Sequence, residues 1–324
     1  MTRIFVYEAV SSGAVADDGD GLLAAGLSMR DAIVGDLSRV AGVTTTCAVS
    51  AAPAPAGNAP ADARPRPALA WPNTGEDSLA FVGRMAARHD LCWVVAPETD
   101  GLLSRLQGTV GPSRWIGCSA PAIRIAASKR ATTALLRTHG IATARELASA
   151  ALRWVVKPDD GAGAVATRVH ASRDKALQDL RQREHAGHCA VLEPWVDGEA
   201  LSVAMVVGAG ADPVVAFNRQ HIEIDAAGLV HDRGVQNHAI HPLLDQRAPR
   251  LHALAREVVR ALPGLAGFVG IDLVWHAERG PVVMEVNPRV TCAYVGLSDK
   301  LDRNLAGAIL ALHAGGKVHD AASA

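Results

Sequence analysis

Apolar and polar positions alternate between two periods along the first third of the chain. Residues 3–8 are a short apolar run of the kind buried in a parallel sheet, and Leu22 to Val40 carries apolar residues at helical spacing with Asp and Arg on the other face. Val43 to Val49 predicts a second strand, Asp77 to His89 a helix, and Leu91 to Ala96 a buried strand that ends at Pro97-Glu98. Between them, Ala51 to Pro72 is rich in Ala and Pro and predicts an irregular surface excursion. Strand, helix, strand, helix, strand implies a small open α/β domain over residues 1–115.

The pattern then changes. Ala127 to His139 predicts a helix closed by Gly140 in the C′ position. Trp154–Lys157, Val165–Val169 and Cys189–Glu193 read as short strands, with a polar helix over Ser172–His185. Leu201–Val207, Val214–Ile224 and Leu229–Val230 read as antiparallel strands, the last two joined by a turn at Asp225–Gly228. Arg247–Leu262 is amphipathic, and Phe268–Trp275 and Pro281–Val286 form two strands across a charged turn. The expected organisation is α/β followed by two α+β lobes: 1–115, 116–192 and 193–324.

Composition changes this picture little. Of 324 residues, 49% are hydrophobic, enough for more than one core. Lys+Arg number 32 against 33 Asp+Glu, and no basic run is present, which argues against nucleic acid or an anionic membrane as partner. Five scattered cysteines with no Cys-x-x-Cys pair point neither to a disulfide framework nor to a zinc ribbon. The sequence shows no secretory h-region and no apolar stretch of bilayer length, so the expectation is a soluble cytoplasmic protein.

Four clusters carry chemistry. In Gly270-Ile271-Asp272-Leu273 and Met284-Glu285-Val286-Asn287-Pro288-Arg289, acidic and amide groups interrupt otherwise apolar strands, where unpaired charge is costly. Glu285 and Asn287 share a face by strand alternation, and Asp272 on the neighbouring strand can reach it. Two carboxylates and an amide carbonyl are hard ligands suited to Mg²⁺ on nucleotide phosphates, and Arg289 continues on that face. Trp154 to Ala164 is a buried strand ending in Lys157, followed by a loop with Gly161 and Gly163 that can offer backbone N–H groups to phosphate. Taken alone it reads equally well as a hairpin. Glu193-Pro194-Trp195-Val196 can present backbone to an adenine edge, with Glu199 beyond it for ribose hydroxyls; an acidic surface turn is the bland alternative. Lys129 follows Ser128 at a helix start, where a lone lysine is usually solvated. There is no P-loop, the early glycines are too irregular for a dinucleotide fingerprint, and His238 and His241 lack metalloprotease spacing.

A helix lysine before Gly140-Ile141, a Lys-Pro strand end with a Gly loop, a Glu-Pro-Trp-Val connector, then Asp and Glu-x-Asn-Pro-Arg: in this order the set resembles the ATP-grasp superfamily over roughly residues 116–312. The resemblance implies a fold of two α+β lobes holding ATP, behind a small N-terminal pre-ATP-grasp domain. It implies Lys129 and Lys157 on ATP phosphates, with Lys157 and Arg289 serving the chemistry. Gly161 and Gly163 would line the phosphate loop, Glu193, Trp195 and Val196 would meet the adenine, and Glu199 the ribose. Asp272, Glu285 and Asn287 would hold two Mg²⁺, for which Mn²⁺ could substitute. Over its length the chain is also similar to the tyramine–L-glutamate ligases of methanofuran and methylofuran biosynthesis, through Val6-Tyr7-Glu8-Ala9, Ser11-Ser12-Gly13, Gly21 to Met29, and Asn287 to Thr291 with Tyr294 to Leu297. That implies amide-bond formation between L-glutamate and tyramine; another acid and amine, or a nucleotide-binding regulator on the same fold, are the alternatives. Three features depart from the pattern: Ser128 where many such enzymes carry Asp, alanines in the phosphate loop, and the stretch 51–72. Asn218, Arg219 and Arg233 are candidate substrate contacts, with exposed strand polar residues as the competing reading. The Ala-rich first domain offers a face for a homodimer.

Overall fold

Buried apolar runs and the helices between them build a parallel sheet from β1 (Thr2–Glu8), β2 (Val43–Ala48), β3 (Ala68–Ala70), β4 (Leu91–Val95) and β5 (Trp115–Ile116), in the order β3-β2-β1-β4-β5. The computed structural model describes residues 1–15, 21–50, 66–161, 163–208 and 213–321. Ile4, Phe5, Val6 and Tyr7 of the central strand are fully buried, as expected of a parallel strand covered on both faces. The covering helices are α1 (Leu22–Leu37), α2 (Ser78–Ala86) and α3 (Leu102–Val110). Asp77 caps α2 by accepting a hydrogen bond from Ala80 N at 2.8 Å, and Phe81 meets Phe5 edge-on at 5.8 Å. Residues 51–65 of the expected surface excursion lie outside the described residues.

The second half forms two antiparallel sheets. The first, in the order β7-β6-β8, holds β6 (Trp154–Pro158), β7 (Arg168–His170) and β8 (Ala190–Pro194), with α6 (Arg173–His185) packed on it through Ala176 against Val156 and Ala190. The other has β9 (Glu199–Val207), β10 (Val214–Ile224), β11 (Val230–Ile240), β12 (Gly267–His276) and β13 (Gly280–Asn287) in the order β11-β10-β9-β12-β13, with α7 (Ala248–Ala261) against it. α4 (Ala120–Ala126) and α5 (Lys129–Thr138) precede both sheets. The two sheets are joined at one turn, and the segment after α5 is joined to the second sheet. The turn between β10 and β11 meets β7, with Val169 N donating to Gly228 O at 2.7 Å and Val230 N to Thr167 O at 3.0 Å; Val283 N on β13 donates to Ala142 O at 2.9 Å.

Several elements differ from the expectation. Within the stretch 51–72 expected to be irregular, Ala68–Ala70 forms β3, whose backbone pairs in parallel with β2. The helix expected over Ala127–His139 begins at Lys129, because Ser128 stands in extended conformation as its N-cap and separates it from α4. The strand expected over Val165–Val169 shrinks to Arg168–His170, because Ala164 and Ala166 take left-handed conformations, at φ +60° and +53°. The strand expected over Leu229–Val230 runs on to Ile240, through two register shifts against β10.

By their contacts the residues divide into two compact units, one of 1–97, 102–117 and 294–324, the other of 98–101 and 118–293. Both antiparallel sheets belong to the second. The C-terminal helices α8 (Leu297–Lys300) and α9 (Leu305–Ala321) belong to the first, where buried Asp36 of α1 accepts hydrogen bonds from Tyr294 OH, at 2.7 Å, and Ser298 Oγ. Among the described residues no helix is long and apolar enough to cross a membrane.

Candidate functional site

The hairpin of β12 and β13 sets Asp272 directly opposite Glu285, and Gly270 opposite Asn287. Opposed residues in an antiparallel ladder share a face, so two carboxylates are held side by side. Just beyond them the register shifts: Leu273 pairs with Val283, and Met284 is an extra residue on β13. Both Asp272 oxygens accept from neutral amides, Oδ2 from Asn287 Nδ2 and Oδ1 from Gln220 Nε2, each at 2.9 Å. Burial first, and then the like charge of Glu285, pushes the Asp272 carboxyl up to about 7. Divalent metal fits this crowding. Two carboxylates and the Asn287 amide supply hard oxygen donors, and a cation would offset their repulsion. Among the described residues no group of three or more His, Cys, Asp or Glu is arranged to hold a metal; phosphate oxygens would complete the coordination of a cation held here.

Two lysines face these carboxylates. Lys129, buried at the first turn of α5, lies 3.4 Å from Glu285 Oε1, and its Nζ donates to Gly161 O at 3.3 Å. Its place is fixed by Asp159: Ser128 Oγ and Arg130 N donate to the Asp159 carboxylate, each at 2.8 Å, and Lys129 N donates to Asp159 O at 2.9 Å. Lys157 is buried on β6, with Nζ 2.9 Å from Glu193 Oε2 on β8, where Glu193 pairs with Val155 two residues away on the same face. Burial works against the ammonium charge, but Glu193, and then Glu285 and Asp272, outweigh it and raise the Lys157 pKa. The strand lysine therefore stays charged and feels both hairpin carboxylates. Gly161 and Gly163, with φ of +109° and +71°, hold the following loop in conformations that favour glycine.

The connector from β8 to β9 carries Trp195 and Val196. Trp195 N donates to Arg153 O at 2.9 Å, its indole N–H donates to Asp197 at 3.2 Å, and Arg153 lies over its ring. Val196 is packed with Ala144 and Val282. Glu199 is paired with Arg219 at 2.7 Å and with Arg247; burial raises its carboxyl, but hydrogen bonds from these two arginines draw it below its ordinary value.

The three candidate substrate residues are not gathered together. Asn218 is fully buried and bridges the sheet, donating to Ser202 Oγ at 3.2 Å and accepting from His238 N at 2.9 Å where β11 bulges. Arg219 is occupied by Glu199. Arg233 forms an exposed pair with Glu223, both side chains about 60% accessible.

Sequence reading missed two site residues. Asp159 had a local signal, as the acid after Lys-Pro. Glu98 had none: it is buried, and grips Arg289 bidentately from 191 residues away, with Nε on Oε1 at 2.9 Å and Nη2 on Oε2 at 3.0 Å.

The family model for the ATP-grasp domain matches residues 126–293, and that for the pre ATP-grasp 3 domain matches residues 43–123. The tyramine–L-glutamate ligase of Methanocaldococcus jannaschii is 29% identical over 210 residues, and that of Methanocaldococcus fervens 28% over 210. Those matches cover 64% of this chain, which spans 58% and 61% of the two relatives' lengths. Among solved structures, an ATP-grasp superfamily protein from Archaeoglobus fulgidus superposes with a TM-score of 0.69 at 20% identity, over 96% of this chain and 88% of that one. The D-alanine–D-alanine ligase of Bacillus anthracis does so with a TM-score of 0.64 at 16% identity, over 98% of both chains. At such identities the structural likeness speaks for the fold alone.

Proposed function

The chain belongs to the ATP-grasp family, and from that premise we propose that it is an ATP-dependent, ADP-forming carboxylate–amine ligase. The observation that carries the proposal is the convergence of Asp272, Glu285 and Asn287 with the charged amines of Lys129 and Lys157 in one unit. Such a set suits a polyphosphate with its metal ions better than it suits a packed interior, where opposed carboxylates only destabilise.

A carboxylate acylates poorly, because its leaving group would be oxide. In the proposed reaction a carboxylate oxygen of the acid attacks the γ-phosphorus of ATP, the bond to the β,γ-bridging oxygen breaks, and ADP leaves with that electron pair. An amine then attacks the acyl carbon, phosphate departs and the amine nitrogen gives up a proton. Lys157 and Lys129 would neutralise phosphate charge, and the N–H groups around Gly161 and Gly163 would hold phosphate oxygens. Glu193, Trp195 and Val196 would meet the adenine and Glu199 the ribose, once released from an arginine. Arg289 would steady the phosphoryl group in flight. Mg²⁺ held by Asp272, Glu285 and Asn287 would supply charge neutralisation on the transferring group.

For substrates we propose L-glutamate and tyramine, giving γ-glutamyltyramine, ADP and phosphate. The support is the sequence similarity to the two ligases of that name. The test is ADP release measured across a panel of acids and amines with Mg²⁺-ATP. Release that needs both L-glutamate and tyramine, with the amide product seen by mass, is the expected result. Release with a different pair keeps the ligase and replaces its substrates; tight ATP binding with no release for any pair sinks the ligase itself.

A further inference from the structure

Every nitrogen of the Arg289 guanidinium has a partner. Besides the two bonds to Glu98, Nη2 reaches Asn287 Oδ1 at 3.4 Å and Nη1 donates to Val290 O at 3.2 Å. Both side chains of the ion pair are nearly sealed from water, at 8% exposed for Arg289 and 3% for Glu98. Burial works against the guanidinium charge, and Glu98 outweighs it. A fork-to-fork pair fixes the plane of a guanidinium as well as its position, which a single contact does not.

Glu98 stands in a short segment, 98–101, that belongs with the second unit. The same segment touches the glycine loop. Asp100 N donates to Asp160 Oδ2 at 2.8 Å, and Thr99 Oγ1 lies 3.4 Å from where a side chain on Gly161 would begin. Asp100 and Gly101 are both left-handed, with φ of +52° and +65°. For Asp100 that conformation is unfavourable, so the local structure holds it there. One short segment thus grips Arg289 and rests on the phosphate loop.

We infer that Glu98 is a positioning residue for phosphoryl transfer: it sets the plane of the Arg289 guanidinium beside Asn287, while the segment it belongs to fixes the glycine loop to the same frame. The inference rests on the ligase reading. Its function is to keep Arg289 aimed, so losing it should slow turnover by far more than it alters nucleotide binding.

The experiment is a double-mutant cycle with Glu98→Gln and Arg289→Ala, reading kcat, KM for ATP and thermal midpoint in all four proteins. Misaiming a group by about an ångström can cost on the order of 100-fold in rate. Glu98→Gln should therefore lose roughly 10- to 100-fold in kcat, with KM for ATP changed less than about threefold. In the Arg289→Ala background, adding Glu98→Gln should cost no further kcat. A Glu98→Gln enzyme with unchanged kcat and a lowered midpoint would make the pair merely structural and overturn the inference, as would kcat losses that multiply in the double variant. If Glu98→Gln does not fold, Glu98→Asp keeps the charge, withdraws the carboxylate by one methylene and should give the same split. If the wild-type protein releases no ADP with any pair, the ligase reading fails by itself. Glu98 is then read from binding, as the affinity ratio of the β,γ-imido analogue of ATP to ADP. Glu98→Gln and Arg289→Ala should shift that ratio alike, and an unchanged ratio in Glu98→Gln overturns the inference.

Discussion

Asp272 shows at one residue how function and stability pull apart. Its carboxyl is buried beside Glu285 in a position that raises it to about 7, so in the absence of a cation it burdens the fold. Asp272→Asn removes one of the two opposed charges while keeping shape and most hydrogen-bonding capacity. The variant should be more stable than wild type in metal-free buffer at pH 8, by on the order of 1 kcal/mol, and should lose ADP release by at least about 100-fold. Urea melts in EDTA and the ADP assay read the two effects separately. A variant that is both less stable and fully active would mean that the pair is ordinary strand surface. Lys157 makes the complementary case, since its ammonium is kept charged by Glu193 and by the two hairpin carboxylates. Lys157→Met leaves Glu193 buried without its partner and should cost about 3 kcal/mol or more.

At the scale of elements, the turn between β10 and β11 deserves its glycine for a specific reason. Gly228 is left-handed at φ +81°, and a β-carbon there would come within 2.4 Å of Val169 O on β7. Gly228→Ala must either strain the turn or part the two sheets, and should destabilise by about 2 kcal/mol; an unchanged midpoint would show that the contact is not rigid. On the other side of β7, Asp179 of α6 holds His170 at 2.8 Å and Arg183 at 2.8 Å. Burial raises the Asp179 carboxyl, but the bonds from Arg183 and His170 outweigh it and lower it below its ordinary value. A depressed carboxyl stabilises above its unfolded pKa, about 3.9, and the contribution vanishes as pH falls through the folded value. Wild type should therefore exceed Asp179→Asn by about 1–2 kcal/mol at pH 7, with the gap closing below about pH 4. These same elements mark what the sequence could and could not disclose. The β12–β13 hairpin was readable, because Asp272, Glu285 and Asn287 interrupt apolar alternation at a fixed offset. Most of β11 was not: two bulges against β10 break its period of two, and Val230 to Ile240 then looks like loop. The pairing of Glu98 with Arg289 left no trace, since nothing local distinguishes an acid whose partner is 191 residues away.

For the whole molecule the decisive fact is that every residue proposed to meet nucleotide or metal lies in the second unit, including the short piece 98–101. A chain of two compact units need not melt in one step, and a ligand stabilises only the structure that binds it. Calorimetry with Mg²⁺-ADP at about 100 times its dissociation constant should add about 2.7 kcal/mol to the unit that binds. For a unit of this size that corresponds to an upward shift of roughly 5–10 °C. The shift should appear in the transition of the second unit, and EDTA should remove most of it if Asp272, Glu285 and Asn287 hold the metal that bridges protein to phosphate. Thiol labelling identifies which transition is which. Cys47, Cys92 and Cys118 are buried, with burial pushing their thiols up to about 11, 12 and 12, while Cys189 and Cys292 are exposed. Cys47 and Cys92 lie in the first unit and Cys118 in the second, so the temperature at which each becomes reactive reports its own unit. Mg²⁺-ADP should delay Cys118 and leave Cys47 and Cys92 where they were. If Cys47 and Cys92 are delayed to the same degree, either the two units unfold together or nucleotide binding is not confined to the second, and the site has to be redrawn to include the first.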